Sequence, residues 1–173
     1  VVVTDIPEIR DAAEELEIGV WWEPQELAQA PQIATVVAAA ARMAKDPSNY
    51  TLVLTPNVVA RDVDKVAKFL DWAMDMGADA SWTCEEVPCR PEMIVFDHHY
   101  EELVEQAIPG DERSHQRRLV LTTHYAIVAR TAYLVEHEKL RPPHARLYQM
   151  PKGHVTWTIN EVADLHWAER MLE

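Results

Sequence analysis

Three residues of the types that bind metals, Asp97, His98 and His99, follow a short apolar run in the sequence MIVFDHH. Neutral imidazoles and a carboxylate together bind divalent cations such as Mn²⁺ or Zn²⁺ well. A cation held there would acidify a bound water and neutralise charge that develops on a phosphoryl group. An Asp at this position can also cap the first turn of a helix. The triplet therefore predicts either a metal site or a polar helix start.

Polar side chains also follow other predicted strands. In open α/β sheets, ligands bind beyond the carboxyl ends of the strands, so these side chains extend the candidate site. They are Asp5 after VVVT, Glu23 after VWW, Asn57 after LVLTP and His124 after LVLTT. We predict a divalent cation, Mn²⁺, Zn²⁺ or Mg²⁺, held by Asp97, His98, His99 and Asp5, with His98, His99 and His124 as the catalytic groups.

The basic residues form one local cluster, RSHQRR, which contains Arg113, Arg117 and Arg118. A guanidinium fork matches the geometry of a phosphate group, so these three arginines are the predicted substrate-binding residues. Elsewhere acidic residues dominate, because 29 Asp and Glu outnumber 16 Lys and Arg and leave a formal net charge of −13. This charge disfavours broad binding of nucleic acid. A small phosphate ester or a short nucleic acid remains possible as substrate, and so does a protein partner or a homo-oligomer.

Several common nucleotide and nucleophile motifs are absent from the sequence. With only four glycines, it contains no GxGxxG, P-loop or GxSxG pattern. The two cysteines, Cys84 and Cys89, lack the spacing and the second pair of a zinc knuckle. Free thiols in a reducing cytoplasm are favoured for them, with a disulfide or a ligand pair as the alternatives.

The elements that must position these residues alternate along the chain. Short β-rich runs such as VVVTD, TLVLT and LVLTT are followed by helical patterns, the clearest over 58–76, with others over 100–108 and 125–140. Near the end, ARLYQM and HVTWTI flank a Pro-Lys-Gly turn, and Asn160 can cap a last helix. The pattern predicts an α/β fold: a parallel or mixed sheet with helices on both faces, and a C-terminal β-hairpin plus helix.

Length and composition are those of an ordinary globular protein. The 173 residues, 48% of them hydrophobic, predict a single domain over 1–173. No apolar run is long enough to span a membrane, and no signal peptide is recognisable, so a cytoplasmic location is expected. Because the chain begins at Val1 rather than Met, it could also be a fragment of a longer protein.

The stretch MIVFDHH resembles the strand and Asp-His-His motif of the DHH phosphoesterases, over seven residues. The resemblance implies a manganese-dependent hydrolase of phosphodiesters or small phosphate compounds. The early Asp-x-Asp-Gly stretch of that family is replaced here by Asp5-Ile6-Pro7-Glu8, and a glycine-rich C-terminal motif is lacking. Half of the family's metal ligands therefore have no counterpart in this sequence.

The pairing of FDHH with the later RRLVLTTH is similar to the strand-loop-strand-helix arrangement of HNH nucleases. Arg118 stands where that family has an Asn before its second strand, and the flanking cysteine knuckles are not formed. The sequence is assigned to neither family.

These features together predict a metal-dependent hydrolase of phosphate esters, similar to a phosphoesterase or a nuclease. The alternative is a non-catalytic, acidic interaction or assembly protein that binds a basic partner. In that case the histidines would be structural.

Overall fold

A computed structural model describes residues 1–29, 32–43, 49–86, 103–106, 118–142, 144–152, 154 and 156–172. Strands and helices alternate along the chain, as the sequence predicts. In order they are β1 (Val2–Thr4), α1 (Pro7–Glu15), β2 (Val20–Trp22), α2 (Gln25–Ala28), α3 (Ile33–Met43), β3 (Tyr50–Val53), α4 (Val63–Met76), β4 (Ala80–Glu86), β5 (Leu103–Gln106), β6 (Arg118–Arg130), α5 (Thr131–His137), β7 (Arg146–Gln149) and α6 (Val162–Leu172).

Within the described residues the main sheet has five strands, and the long strand β6 pairs with three of them. On one side β6 pairs antiparallel with β4 along most of its length. On its other side it pairs antiparallel with β3 near its C-terminal end and with β5 near its N-terminal end. Strand β7 adds to β4 in parallel. The sheet is therefore mixed.

A bulge interrupts β6 where the sequence analysis expects a strand to end. Thr83 pairs with Thr123 and Trp82 with Ile127, so residues 124–126 have no partner in β4. The hydroxyl of Thr83 fills the gap, because it accepts a hydrogen bond from the backbone N–H of Ala126 at 3.3 Å and lies 3.2 Å from its carbonyl oxygen. The helix predicted from Tyr125 is consequently wrong as far as Arg130: β6 continues, and α5 begins only at Thr131.

Helices cover both faces of the main sheet, and this prediction is confirmed. Successive residues of a strand point to opposite faces. Ile127 packs in a buried cluster with Ala38 of α3 and Leu134 of α5. Its neighbour Val128 packs in a second cluster with Phe69 of α4. Helices α3 and α5 thus lie on one face and α4 on the other.

The ends of α4 follow directly from its sequence. The Asp62 side chain accepts hydrogen bonds from the backbone N–H groups of Asp64 and Lys65, which would otherwise lack partners. At the other end Gly77 adopts φ +61°, a left-handed conformation that glycine reaches without steric cost. The helix begins at Val63, five residues later than predicted, because residues 54–62 form a separate turn.

Strands β1 and β2 form a small parallel sheet of their own, separate from the main sheet. Helix α1 contacts both strands. Ile9 of α1 is 44% exposed, and Leu16, which follows the last residue of the helix, is 71% exposed.

Two further elements differ from the sequence prediction. Residues 103–106, expected within a helix over 100–108, form strand β5. The predicted C-terminal hairpin is also wrong, because its two arms pair elsewhere: β7 pairs with β4, and Thr158 forms a bridge with Val58. Within the described residues, no helix is both long and apolar enough to cross a membrane.

Candidate functional site

The carboxyl ends of three strands meet at one edge of the main sheet. Strands β3 and β4 both run antiparallel to β6, and β7 runs parallel to β4, so all three end on the same side. We call this side the carboxyl edge. It comprises residues 54–62 after β3, residues 84–86 at the end of β4, and the described residues of 150–160 after β7. Ligands of open α/β sheets bind at such an edge.

Two of these segments pair with each other, and we call this contact the loop pairing. The backbone N–H of Ile159 donates to the carbonyl of Asn57 at 2.7 Å, and that of Val59 donates to the carbonyl of Trp157 at 3.0 Å. The pairing brings two side-chain amides together: Nδ2 of Asn57 lies 3.4 Å from Oδ1 of Asn160. The edge therefore carries a pair of neutral amides held by backbone hydrogen bonds.

Arg61 shapes the turn after β3. Its guanidinium donates to the carbonyl oxygens of Tyr125 at 2.8 Å, Val58 at 3.3 Å and Thr55. Burial lowers the pKa of Arg61, and the hydrogen bonds to carbonyl oxygens replace the lost water. Nε and both terminal nitrogens serve the backbone, so this arginine positions the turn rather than presenting a fork to a phosphate.

Glu85, at the end of β4, contacts the segment after β7. Its Oε1 atom accepts hydrogen bonds from the backbone N–H of Thr156 at 2.8 Å and from the Thr156 hydroxyl. The same oxygen lies 3.9 Å from Nε2 of His154. A carboxylate from one strand thus holds the loop that follows another strand.

His154 is the most unusual polar group of the edge. Its Nδ1 atom lies 3.5 Å from Nζ of Lys65, and because an ammonium group can only donate, Nδ1 must be the acceptor. The ring proton is then on Nε2, which is buried and has no hydrogen-bond partner within the described residues. Burial is the main cause that lowers the pKa of His154, and the charge of Glu85 opposes it. The imidazole is therefore neutral near pH 7.

A mostly apolar groove of about 360 Å³ opens beside the loop pairing. Two indole rings line it, Trp157 at 50% and Trp167 at 62% exposure. The other lining residues are Val59, Ala60, Thr158, Ile159, Asp164 and Ala168. Exposed indole faces are suited to stacking on a planar or sugar ring.

The predicted site residues are distributed as follows. Asp97, His98, His99, Arg113 and Arg117 lie outside the described residues, so their proposed roles stay predictions. Arg118 is the first residue of β6. Asp5 is exposed and follows β1, which belongs to the small sheet. His124 lies in the bulge of β6 rather than at a strand end, with its ring 5.7 Å from that of Trp82.

The described part of the edge does not fit a metal held by the protein alone. No group of three or more His, Cys, Asp or Glu side chains with metal-binding geometry occurs among the described residues. Near the loop pairing, Oδ2 of Asp164 already accepts from the backbone N–H groups of Asn160 at 2.9 Å and Glu161 at 3.0 Å. Hard cations such as Mg²⁺ prefer anionic oxygen ligands, and the amides of Asn57 and Asn160 are neutral.

The sequence indicates these residues only in part. It predicts Asn160 as a helix cap and HVTWTI, which begins at His154, as one arm of a hairpin, and it gives no signal for Glu85. Their proximity depends on β7 pairing with β4, which brings residues distant in sequence to one edge. Only the strand-end position of Asn57 was a usable signal.

Comparison with solved structures supplies the fold type. The chain is similar to a CMP:2-keto-3-deoxy-manno-octonic acid synthetase in complex with CTP, with a TM-score of 0.68 and 12% identity over 99% of this chain and 79% of that chain. HddC from Yersinia pseudotuberculosis has a TM-score of 0.60 at 12% identity, covering 99% of this chain and 76% of that one. HddC complexed with GMP-PN is equally similar in fold, with a TM-score of 0.60. The chain therefore has an α/β fold similar to that of the synthetase and HddC structures.

At these identities the likeness establishes the fold alone. No family model and no curated protein matches the chain in sequence. The prediction of a phosphate-ester hydrolase is nevertheless wrong, because the chain matches a CTP-complexed synthetase and HddC in fold over almost its whole length. The alternative of a non-catalytic, acidic assembly protein stays a prediction.

Proposed function

We propose that this chain acts in nucleotidyl transfer, as an enzyme that binds a nucleoside triphosphate at the carboxyl edge and transfers the nucleotide to a sugar acceptor. The observation that carries the proposal is the fold match over 99% of the chain to a synthetase complexed with CTP. The match to HddC with GMP-PN supports nucleotide binding by the same fold. A pyrimidine and a purine nucleotide are both candidates.

In this reaction an oxygen of the acceptor, from a hydroxyl or from a phosphate group, attacks the α-phosphorus of the triphosphate. A new phosphorus–oxygen bond forms, the bond from the α-phosphorus to the bridging oxygen breaks, and pyrophosphate leaves with that oxygen. A hydroxyl acceptor also releases its proton to water or to pyrophosphate. Much of the catalysis of such transfers comes from positioning and from stabilising charge on the phosphates. The carboxyl edge therefore has to align two substrates.

The described residues offer suitable groups for alignment. The amides of Asn57 and Asn160 can donate to phosphate oxygens, and they can either donate to or accept from hydroxyl groups. Lys65, whose side chain is 35% exposed, brings an ammonium group to the same edge. The Trp157 and Trp167 groove can stack on the base or on the sugar.

The negative charge of the phosphates opposes binding of a triphosphate, because the chain itself has a formal net charge of −13. A bound triphosphate therefore needs local cations. Arg61 is already engaged by carbonyl oxygens. The arginines Arg113, Arg117 and Arg118 stay predicted phosphate ligands, now for a nucleotide instead of a phosphate ester.

The divalent cation of the sequence analysis stays a prediction. Mg²⁺ commonly accompanies nucleotide phosphates and keeps few protein ligands. Because the described residues do not fit a preformed metal site, no step of the proposed reaction is assigned to the metal. A cytoplasmic location and a homo-oligomer also stay predictions.

The proposal is tested by binding and by chemistry. Isothermal titration with CTP and with GTP, each with and without Mg²⁺, should give saturable binding of at least one triphosphate. Ligand at 100 times its Kd would stabilise the fold by about 2.7 kcal/mol, visible as a rise in Tm. Pyrophosphate release should then depend on an added sugar acid or sugar phosphate.

Site variants locate the bound nucleotide. Asn57→Ala and Asn160→Ala should each weaken triphosphate binding. Glu138→Ala is the control: it removes an ion pair with Arg42 and should leave binding unchanged. If neither CTP nor GTP binds the wild type under any of these conditions, the proposed function is wrong.

A further inference from the structure

Glu85 connects two strand ends of the carboxyl edge through one oxygen atom. We propose that Glu85 is a positioning residue, which fixes the loop pairing and thereby places the Asn57 and Asn160 amides for the substrate. The inference rests on the proposed function for its role in binding. Its structural part can be tested without a ligand.

The first step is the strength of the contact with Thr156. Hydrogen bonds to a carboxylate are roughly twice as strong as those between neutral groups. Oε1 of Glu85 receives two of them, from the backbone N–H and the hydroxyl of Thr156. The Glu85 side chain is only 21% exposed, so water competes weakly for these bonds. Glu85 therefore fixes the main chain at Thr156.

The second step is the short path from Thr156 to the amide pair. Thr156 directly precedes Trp157, whose carbonyl accepts from Val59 in the loop pairing. The pairing consists of two backbone hydrogen bonds around the bridge between Val58 and Thr158. A ladder this short is not stable by itself. The attachment at Thr156 is thus needed to hold Asn160 beside Asn57.

The third step concerns His154, the buried ring beside Glu85. The side chain is 9% exposed, and its Nε2–H group points to within 3.9 Å of Oε1 without forming a hydrogen bond. Closing the contact to a normal length near 2.9 Å requires a movement of about 1 Å. A movement of this size toward Glu85 would give the buried donor a partner.

Hydrogen exchange of single backbone amides tests the structural part. In Glu85→Ala, exchange at Val59 and Ile159 should be at least about tenfold faster than in wild type, because both N–H groups belong to the loop pairing. The amide of Arg130, which donates to Asp79 at the opposite edge, should stay protected and so report that the protein is folded. Glu85→Gln keeps an acceptor for Thr156 and should show a smaller change. Unchanged exchange at Val59 and Ile159 in Glu85→Ala overturns the inference.

Titration with CTP and GTP then tests the link to the site. Glu85→Ala should weaken the binding of the preferred triphosphate about tenfold, Glu85→Gln should restore part of it, and the control Glu138→Ala should match wild type. Faster exchange with unchanged affinity would overturn the positioning role while leaving the proposed function intact. If the wild type binds no triphosphate, the proposed function is wrong. The role of Glu85 in placing a substrate is then wrong as well, even if hydrogen exchange shows that Glu85 holds the loop.

Discussion

Acidic residues follow or end strands in both sheets of the described part of the chain, but their surroundings differ. Glu85 at the main sheet accepts two hydrogen bonds from a loop that follows another strand. Glu23, after β2 of the small sheet, lies near a second carboxylate: burial and the charge of Asp5 raise the pKa of Glu23. A polar residue at a strand end is therefore not a site by itself. Such a residue can contribute to a site when the loops that follow several strands lie next to each other.

Packing separates the two regions in the same way. Phe69 and Ala126, in the main sheet and its helix, are fully buried. In the small sheet and α1, Trp22 is 45% and Ile9 44% exposed. Substitutions in the two regions should therefore have very different costs, and four comparisons test this difference from the largest effect to the smallest.

Core truncation should show the largest contrast. Phe69→Ala removes a fully buried ring that packs on Trp72 and Tyr148, and should lower the free energy of unfolding by about 3 to 5 kcal/mol. Ile9→Ala on α1, where the side chain is 44% exposed, should cost less than about 1.5 kcal/mol. Urea unfolding of both variants measures the difference. Equal losses would mean that the small sheet is packed as tightly as the main one.

The two regions also differ in what an arginine does. Arg61→Ala leaves several buried carbonyl oxygens without their donor, and should cost about 2 to 3 kcal/mol. Arg10→Ala in α1 breaks an ion pair with Asp11 in which the side chains are 41% and 61% exposed, and should change the free energy of unfolding far less, because water screens the pair. Thermal unfolding compares them. A stable Arg61→Ala would show that water replaces the guanidinium.

The pH dependence of stability should reveal His154. Because burial lowers its pKa below the usual 6.5, the unfolded chain binds more protons than the folded one at mildly acidic pH. The contribution of His154 is therefore present above about pH 6.5 and lost as the pH falls through that value, with a slope of at most about 1.4 kcal/mol per pH unit. Unfolding of wild type and His154→Gln at pH 7.5, 6.5 and 5.5 should show a shallower slope in the variant. Identical slopes would contradict the assignment.

Glu23 should give the smallest effect, with the opposite sign. Its raised pKa means that the folded state favours the protonated carboxyl, so its contribution is present at low pH and lost as the pH rises above its usual value. Glu23→Gln should accordingly stabilise the protein at pH 7 by less than about 0.5 kcal/mol. A comparison of Tm at pH 7 and pH 4 tests this, since the gain should disappear at the lower pH.

The sequence was sufficient to predict the fold class, but it did not predict which strands pair with each other. β-branched runs and helical periodicity located β1, β3 and α4, because local preference and burial agree there. Residues 125–130 were misread as helix, since an apolar run buried on both faces of a sheet has no alternation to distinguish it. The hairpin failed for another reason: β7 reached β4 through parallel pairing that no local pattern indicates.

The candidate site was less predictable than the fold. Asn57 was found because it follows a strand. His154 and Glu85 meet only through long-range pairing, and their residue types alone carried no signal. The predicted triplet of Asp97, His98 and His99 stays untested, and the helix expected after it is replaced by a strand over 103–106.

The dominance of β6 has a consequence for how the chain folds during synthesis. Strands β3, β4 and β5 pair with β6 and β7 pairs with β4, so the described ladders of the main sheet all require residues 118–130 or later. A nascent chain that has reached residue 117 would carry three strands that await a common partner. Such non-local pairing slows folding and leaves strand edges open to other chains. This topology therefore favours slow, chaperone-sensitive folding, which should become faster once β6 has left the ribosome.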